Sequence, residues 1–179
     1  MCLVLVVYFF NYNLGKKTHT YKVANLNKFK SNLLEYLRQH KCFCFLDSND
    51  FSSKKAFNFL AAFQPQKQLI NFKDPFEDLQ KMINASQDWI FGYLSYDLKN
   101  KIEELTSTNS DSLAFPSMHF FIPSIIIKAK NECIDIIYDS SYSSVEVDDL
   151  YNQICTGHLV KESISLIELK PKVSKEDYI

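Results

Sequence analysis

Glycine is scarce in this chain. Only 3 occur in 179 residues, at Gly15, Gly92 and Gly157, and none has another nearby. A loop that cradles phosphate needs several glycines within a few positions, so that backbone N–H groups can approach the anion. P-loop and dinucleotide-binding fingerprints are therefore excluded. Net charge is almost absent as well, at −1 from 20 basic and 21 acidic side chains. Without a basic excess or stripe the chain carries no electrostatic footprint for nucleic acid. Long apolar runs are also missing. The apolar start, Met1-Cys-Leu-Val-Leu-Val-Val-Tyr-Phe-Phe10, falls well short of the roughly 20 residues a bilayer-spanning helix needs. It lacks the charged n-region of a secretory leader, and Asn11-Tyr-Asn-Leu-Gly15 follows it without a small-x-small cleavage site. It reads as a buried strand or an upstream extension, and residues 1–15 stay unassigned to a domain.

Metal-binding spacings are lacking too. His19, His40, His119 and His158 lie far apart, and no H-E-x-x-H or H-x-x-x-H pattern occurs. The five cysteines, Cys2, Cys42, Cys44, Cys133 and Cys155, are odd in number and irregular in spacing. Cys42 and Cys44 flank Phe43 on a strand-like run, so their thiols should share one face. Buried free thiols in a reducing, cytoplasmic compartment are the expected state. The sequence yields no catalytic residue and no metal ligand.

What is present is an ordinary globular composition, 46% hydrophobic and 23% charged, with 15 Phe and 10 Tyr. A chain of this length buries roughly 70% of its unfolded surface and has material for a real core. Strand and helix patterns alternate along it. Thr18 to Val23 reads as a short strand. Asn25 is a helix N-cap, and Leu26, Phe29, Leu33 and Leu37 follow at helical spacing, with an end expected near His40. Cys42 to Leu46 is an apolar run of strand length that stops at the turn-forming Asp47-Ser-Asn-Asp50. Lys55 to Phe63 suggests a short helix, and Gln68 to Phe72 a strand. Pro75 opens a second helix, with Phe76, Leu79 and Met82 or Ile83 expected inward.

Trp89 to Tyr96 is the strongest strand of the middle region. Gly92 inside it marks a bulge or a close backbone approach. Asp97 to Leu105 is a short helical or irregular segment, and Thr106 to Ser112 a polar loop. His119–Lys128 and Glu132–Tyr138 are two strands joined around Ala129-Lys-Asn131, a hairpin signal. Ser144 to Cys155 is a helix, and Ser163 to Leu169 alternates like a half-buried strand. Ser174 with Asp177 opens another helix, of which the sequence contains one turn, so a truncated element is expected there.

The acidic groups have local explanations. Asp97, Glu103 and Glu104 lie beside Lys99 and Lys101 on a solvated face. Glu146, Asp148 and Asp149 sit near a helix N-terminus, whose dipole favours them. Asp47 and Ser48 differ, because a carboxylate and a hydroxyl just after a buried strand are groups that line small-molecule sites. A plain strand-ending turn is the alternative.

These segments carry a family resemblance. Cys44-Phe-Leu-Asp-Ser48 resembles the L-L-[DE]-S segment near the start of anthranilate synthase component I and aminodeoxychorismate synthase component I chains. Trp89-Ile-Phe-Gly-Tyr-Leu-Ser-Tyr-Asp-Leu-Lys99 is similar to their G-Y-[LI]-[SG]-Y-D segment. Ala114-Phe-Pro116 and the aromatic strand through Phe121 resemble the P-D-x-x-F stretch that follows, and Val173-Ser-Lys-Glu-Asp-Tyr178 resembles the opening of the chorismate-binding domain. The four occur in the family's order.

The resemblance implies an α+β fold of antiparallel β-sheets flanked by helices. It implies an N-terminal domain over residues 16–172 and the start of a chorismate-binding domain at 173–179. Asp47-Ser48 and Tyr-Asp-Leu-Lys favour the aminobenzoate (folate) branch over the anthranilate (tryptophan) branch. A tryptophan pocket would map onto Leu46, Asp47 and Ser48. The family's full-length enzymes use Mg²⁺ and a glutamine amidotransferase partner that supplies ammonia. Their catalytic groups match no position here, so the chain is expected to be non-catalytic alone and to lack the chorismate-binding domain as its partner. An amino-acid-binding or interaction module without catalysis is the other reading.

Overall fold

A computed structural model describes residues 15–49, 51, 57–70, 74–86, 88–103 and 114–157, and the backbone alone of 3–8, 101 and 102. Several expectations fall outside these residues: the Thr106–Ser112 loop, the Ser163–Leu169 strand, the Val173–Tyr178 segment, Glu104 and His158.

The fold is α+β. Among the described residues seven strands, β1 (Leu3–Tyr8), β2 (Lys17–Lys22), β3 (Phe43–Asp47), β4 (Phe59–Ile70), β5 (Ile90–Ser95), β6 (Met118–Lys130) and β7 (Cys133–Tyr138), form one antiparallel sheet. The helices are α1 (Leu26–Leu37), α2 (Pro75–Ala85), the one-turn α3 (Lys99–Ile102), which follows a 3₁₀ turn at Tyr96–Leu98, and α4 (Ser144–Thr156).

The long strand β6 organises the sheet. On one side it pairs with β4 over almost its whole length. On the other it pairs first with β5, from Met118 to Phe121, and then with β7, from Ile125 to Lys130. The sheet therefore forks at Ile122–Ser124: one arm continues through β5 to β1, the other through β7 to β2. Pro123 sits in the fork, where it has no N–H to offer a ladder. Opposite it, β4 carries an irregularity between Pro65 and Lys67, next to Gln64 at φ 55°.

The side chains show what this break does. Before it, Met118, Phe120 and Ile122 pack in a cluster with Met82, Leu79 and Ile83 of α2. After it, Ile125, Ile127 and Ala129 pack with Phe29, Leu33 and Leu37 of α1 and Val147, Leu150 and Ile154 of α4. The inward positions change from even to odd across Pro123–Ser124. Since strand side chains alternate, this one-residue slip leaves the three longer helices on one side of the sheet. Leu60, Ala62, Phe91, Phe121, Ile126 and Ile137 form a third cluster, to which no described helix contributes.

Lys16 closes the fork. Its side chain is only 3% exposed, its Nζ donates to the Pro123 carbonyl at 2.8 Å, and it meets Asp88 at 3.1 Å. A buried ammonium is tolerable only with such partners.

The helix termini follow local rules. The Asn25 side chain accepts from the Lys28 N–H at 2.9 Å, capping α1. Ser143 and Glu146 form a reciprocal capping box on α4. Asp74 makes no side-chain cap on α2, which begins with Pro75 at its first turn. Gly92 of β5 backs onto β6 so closely that a Cβ would lie 2.6 Å from the Phe120 Cα, which accounts for the glycine foreseen as a close approach.

Three expectations are corrected. The helix foreseen over Lys55–Phe63 is strand from Phe59 onward, because Phe59, Leu60, Ala61, Ala62 and Phe63 are all buried in the middle of the sheet. A short apolar run has no periodicity that separates helix from strand, and tertiary burial decides. Phe76 is 43% exposed instead of inward, while Leu79, Met82 and Ile83 do pack inward. Helix α1 stops at Leu37, three residues before His40, whose N–H bonds the Leu37 carbonyl in a turn. At the start of the chain, Leu3–Tyr8 pairs with β5 as an outer strand.

Candidate functional site

Leu46, Asp47 and Ser48 end β3 and enter a turn in which Asn49 has φ 48°. The structure does not gather their side chains in one place. Leu46 packs against the helix-free third cluster, with Cys42 and Cys44. Asp47 alternates to the other side, where its Oδ2 accepts from Lys30 Nζ of α1 at 2.8 Å. Its Oδ1 accepts from the Asn49 N–H at 3.0 Å, which closes an Asx turn. The Lys30 hydrogen bond first, then the Asn49 N–H, hold the Asp47 carboxyl below the usual carboxylate range. Ser48 uses its backbone: its N–H donates to the Asn58 carbonyl at 2.9 Å and its carbonyl accepts from Phe51 at 3.0 Å. The strand-ending turn foreseen as the alternative is thus present, and the Asp47 carboxylate is held by α1.

The described cavities lie elsewhere. One of about 460 Å³ opens between α1 and α4, beside Glu35, Tyr36, Gln39 and Gln153. Another of about 320 Å³ opens near the start of α1, beside Lys22, Lys28, Tyr151 and Cys155. Between them Asn32, 4% exposed, donates to the Ile154 carbonyl at 2.8 Å and the Cys155 carbonyl at 3.2 Å. It fastens α1 to the last turn of α4, and the sequence offered no signal for it beyond a polar residue inside an apolar stripe.

Two clusters of reactive side chains formed that the sequence did not show. In the first, Cys42 Sγ lies 3.8 Å from His119 Nε2, which is 3.2 Å from Gln68 Oε1. Burial pushes the Cys42 thiol up and the His119 imidazole down. Burial, followed by the neighbouring Cys42, pushes Cys44 up to about 11. A cysteine nucleophile needs the thiolate, usually beside a cation, and burial works against both charged forms here. Cys42, Cys44, Cys133 and Cys155 are all free and partly buried.

In the second cluster the Tyr21 hydroxyl donates to Asp148 Oδ1 at 2.6 Å, and His19 Nδ1 lies 3.7 Å from the same oxygen. Tyr21 also stacks on Tyr151, with ring centroids 3.9 Å apart. Burial, then the hydrogen bond to Asp148, drives the Tyr21 pKa above its ordinary value. Asp148, expected near the N-terminus of α4, also ties that helix to β2. Glu146 does serve the helix terminus, through Ser143.

Among the described residues no three His, Cys, Asp or Glu side chains converge to hold a metal ion. The described carboxylates Asp47, Asp135 and Asp148 are each engaged by a lysine or a hydroxyl. No described helix is long and apolar enough to cross a membrane. Compared with models of known protein families and with curated proteins, the chain matches neither.

Proposed function

We propose that this chain is the non-catalytic N-terminal domain of an aminodeoxychorismate synthase component I-like enzyme. Such an enzyme converts chorismate to 4-amino-4-deoxychorismate in folate biosynthesis, in the cytoplasm, with Mg²⁺ and a glutamine amidotransferase as ammonia source. The role of this domain is to support a chorismate-binding domain that carries the chemistry.

The observation that carries this reading is the arrangement of the three described segments of resemblance. Cys44–Ser48 ends β3, Ile90–Ser95 is β5, and Ala114–Phe121 leads into β6, all in one antiparallel sheet with its longer helices on one side. The third cluster, built from β4, β5, β6 and β7 without a described helix, is the face on which a second domain would rest.

The experiment has two arms. The purified chain, given chorismate, ammonium and Mg²⁺, should form no aminated product, and turnover would overturn the proposal. The same chain titrated with a separately expressed chorismate-binding domain from an aminodeoxychorismate synthase should bind it saturably, and no binding would equally count against it. Calorimetry with tryptophan on wild type and Ser48→Ala separates the amino-acid-binding alternative: heat lost in the variant would favour that reading.

A further inference from the structure

Among the described residues three strands, β1, β2 and β3, bound the sheet, and their outer edges differ. On β2, Lys17 and Lys22 stand at the ends and Thr20 is bonded to Asp135, the charged and polar dressing that discourages edge pairing. The β1 sequence Leu-Val-Leu-Val-Val-Tyr has no charge to set a pairing register. β3 is different. The segment Lys41-Cys-Phe-Cys-Phe-Leu-Asp47 is apolar inside, with opposite charges at its two ends, both exposed. Phe43 is 41% exposed. Among the described residues β4 is the only strand that β3 pairs with.

The direction of the backbone groups follows from one bond. Ser48 donates its N–H to Asn58 across the β3–β4 ladder. In an antiparallel pair hydrogen-bonded positions alternate, so Leu46 and Cys44 also bond toward β4. Phe43, Phe45 and Asp47 turn their N–H and C=O groups outward, away from β4.

We propose that β3 is a self-association edge, on which a second copy of this chain pairs antiparallel about a two-fold axis at Cys44. In that register Phe43 faces the partner's Phe45, with the outward backbone groups of each bonding the other. Lys41 then faces the partner's Asp47, so both ends of the pairing gain a charge contact. Asp47 already accepts from Lys30 and Asn49, and a carboxylate retains capacity for a further donor. A register centred on Phe45 would instead oppose Phe43 to Asp47 and leave Lys41 unmatched. Cys44 falls at a non-hydrogen-bonded position, where facing Cα atoms approach to about 4.5 Å, within reach of a disulfide. This inference does not depend on the chorismate reading.

The test is sedimentation velocity on the full chain over a concentration series, beside Phe43→Pro and Lys41→Glu. Proline is compatible with Phe43 because its N–H faces away from β4. The wild type should show a concentration-dependent dimer, Phe43→Pro a monomer with an unchanged circular dichroism spectrum, and Lys41→Glu a severalfold weaker dimer. Oxidation with copper(II) phenanthroline at alkaline pH should join the two Cys44 sulfurs, two copper(II) ions each accepting one electron and the buffer taking up two protons. Cys44→Ser should abolish that link and Cys42→Ser should keep it. A wild type monomeric throughout, a folded Phe43→Pro that still dimerises, a dimer indifferent to Lys41→Glu, or a cross-link through another cysteine would each overturn the proposal.

Discussion

The two halves of β6 are held by different means. Its second half, from Ile125 on, lies under two helices whose N-termini are capped by side chains, Asn25 on α1 and Ser143 on α4. Its first half, from Met118 to Ile122, lies under α2, whose N-cap Asp74 makes no side-chain cap bond. There the sheet depends on fit instead: Gly92 lets β5 lie directly against Phe120. The join between the halves is a proline that cannot extend a ladder, and a buried lysine bonds its carbonyl. One half rests on the helix-forming strength of its cover, the other on backbone closeness. A break in a sheet is stable when a side chain takes over the bonding that the backbone gave up.

Substitutions sharpen this contrast. The largest effect is expected for Gly92→Ala. Its methyl would overlap β6 backbone that cannot move without parting β5 from β6, so a loss of roughly 3 kcal/mol follows. Urea unfolding measures it, and a loss under half of that would show that the two strands have slack. Next is Lys16→Met, which keeps the stem but leaves the Pro123 carbonyl and Asp88 without their cation. About 2 kcal/mol should be lost, given that Asp88 keeps some solvent. Wild-type stability in that variant would mean that the fork holds without its clasp.

The caps give a smaller and paired effect. Ser143→Ala should cost about 1 kcal/mol, while Asp74→Ala should cost distinctly less, since Asp74 makes no cap bond. Equal losses would erase the difference drawn between α4 and α2. The smallest effect concerns pH. Tyr21 and Tyr151 have folded pKa values raised above the free value of 10.0, Tyr151 to about 12, with burial as the first cause in both. A group with a raised folded pKa contributes stability that is complete below its unfolded pKa and is lost as pH climbs through the folded one. Stability should therefore be flat through neutral pH and decline from about pH 10 upward. Tyr21→Phe should flatten part of that decline, and a melting curve indifferent to Tyr21→Phe above pH 10 would sink the assignment.

Much of this was legible in the residues, for identifiable reasons. Asn25, Ser144 onward and Pro75 announce helices because capping and φ restriction act within one turn. The β6–β7 hairpin and β5 were legible because long β-branched and aromatic runs have few other uses. The segment from Lys55 to Phe63 misled because Leu and Ala favour helices unless the sheet claims them. Phe76 misled because the face a helix buries is decided by what lies beneath it.

For the candidate site the residues declared less. Leu46, Asp47 and Ser48 were foreseen at a strand end, and they are there. That Asp47 turns to Lys30 while Leu46 joins Cys42 and Cys44 on the opposite face required the folded strand and its neighbours. The contacts of Cys42 with His119 and of Tyr21 with Asp148 join residues 77 and 127 positions apart. No local pattern encodes such distances.

By itself the sequence determined where helices start, which segments prefer to be extended, and that no glycine-rich phosphate loop is formed. These depend on forces acting within a few residues: capping, φ restriction and side-chain alternation. Only the tertiary structure decided that the sheet forks at Pro123, that its longer helices share one side, and that Lys16 is buried in the gap. Those outcomes depend on burial and strand pairing between distant parts of the chain, whose free energy appears only once the partners meet.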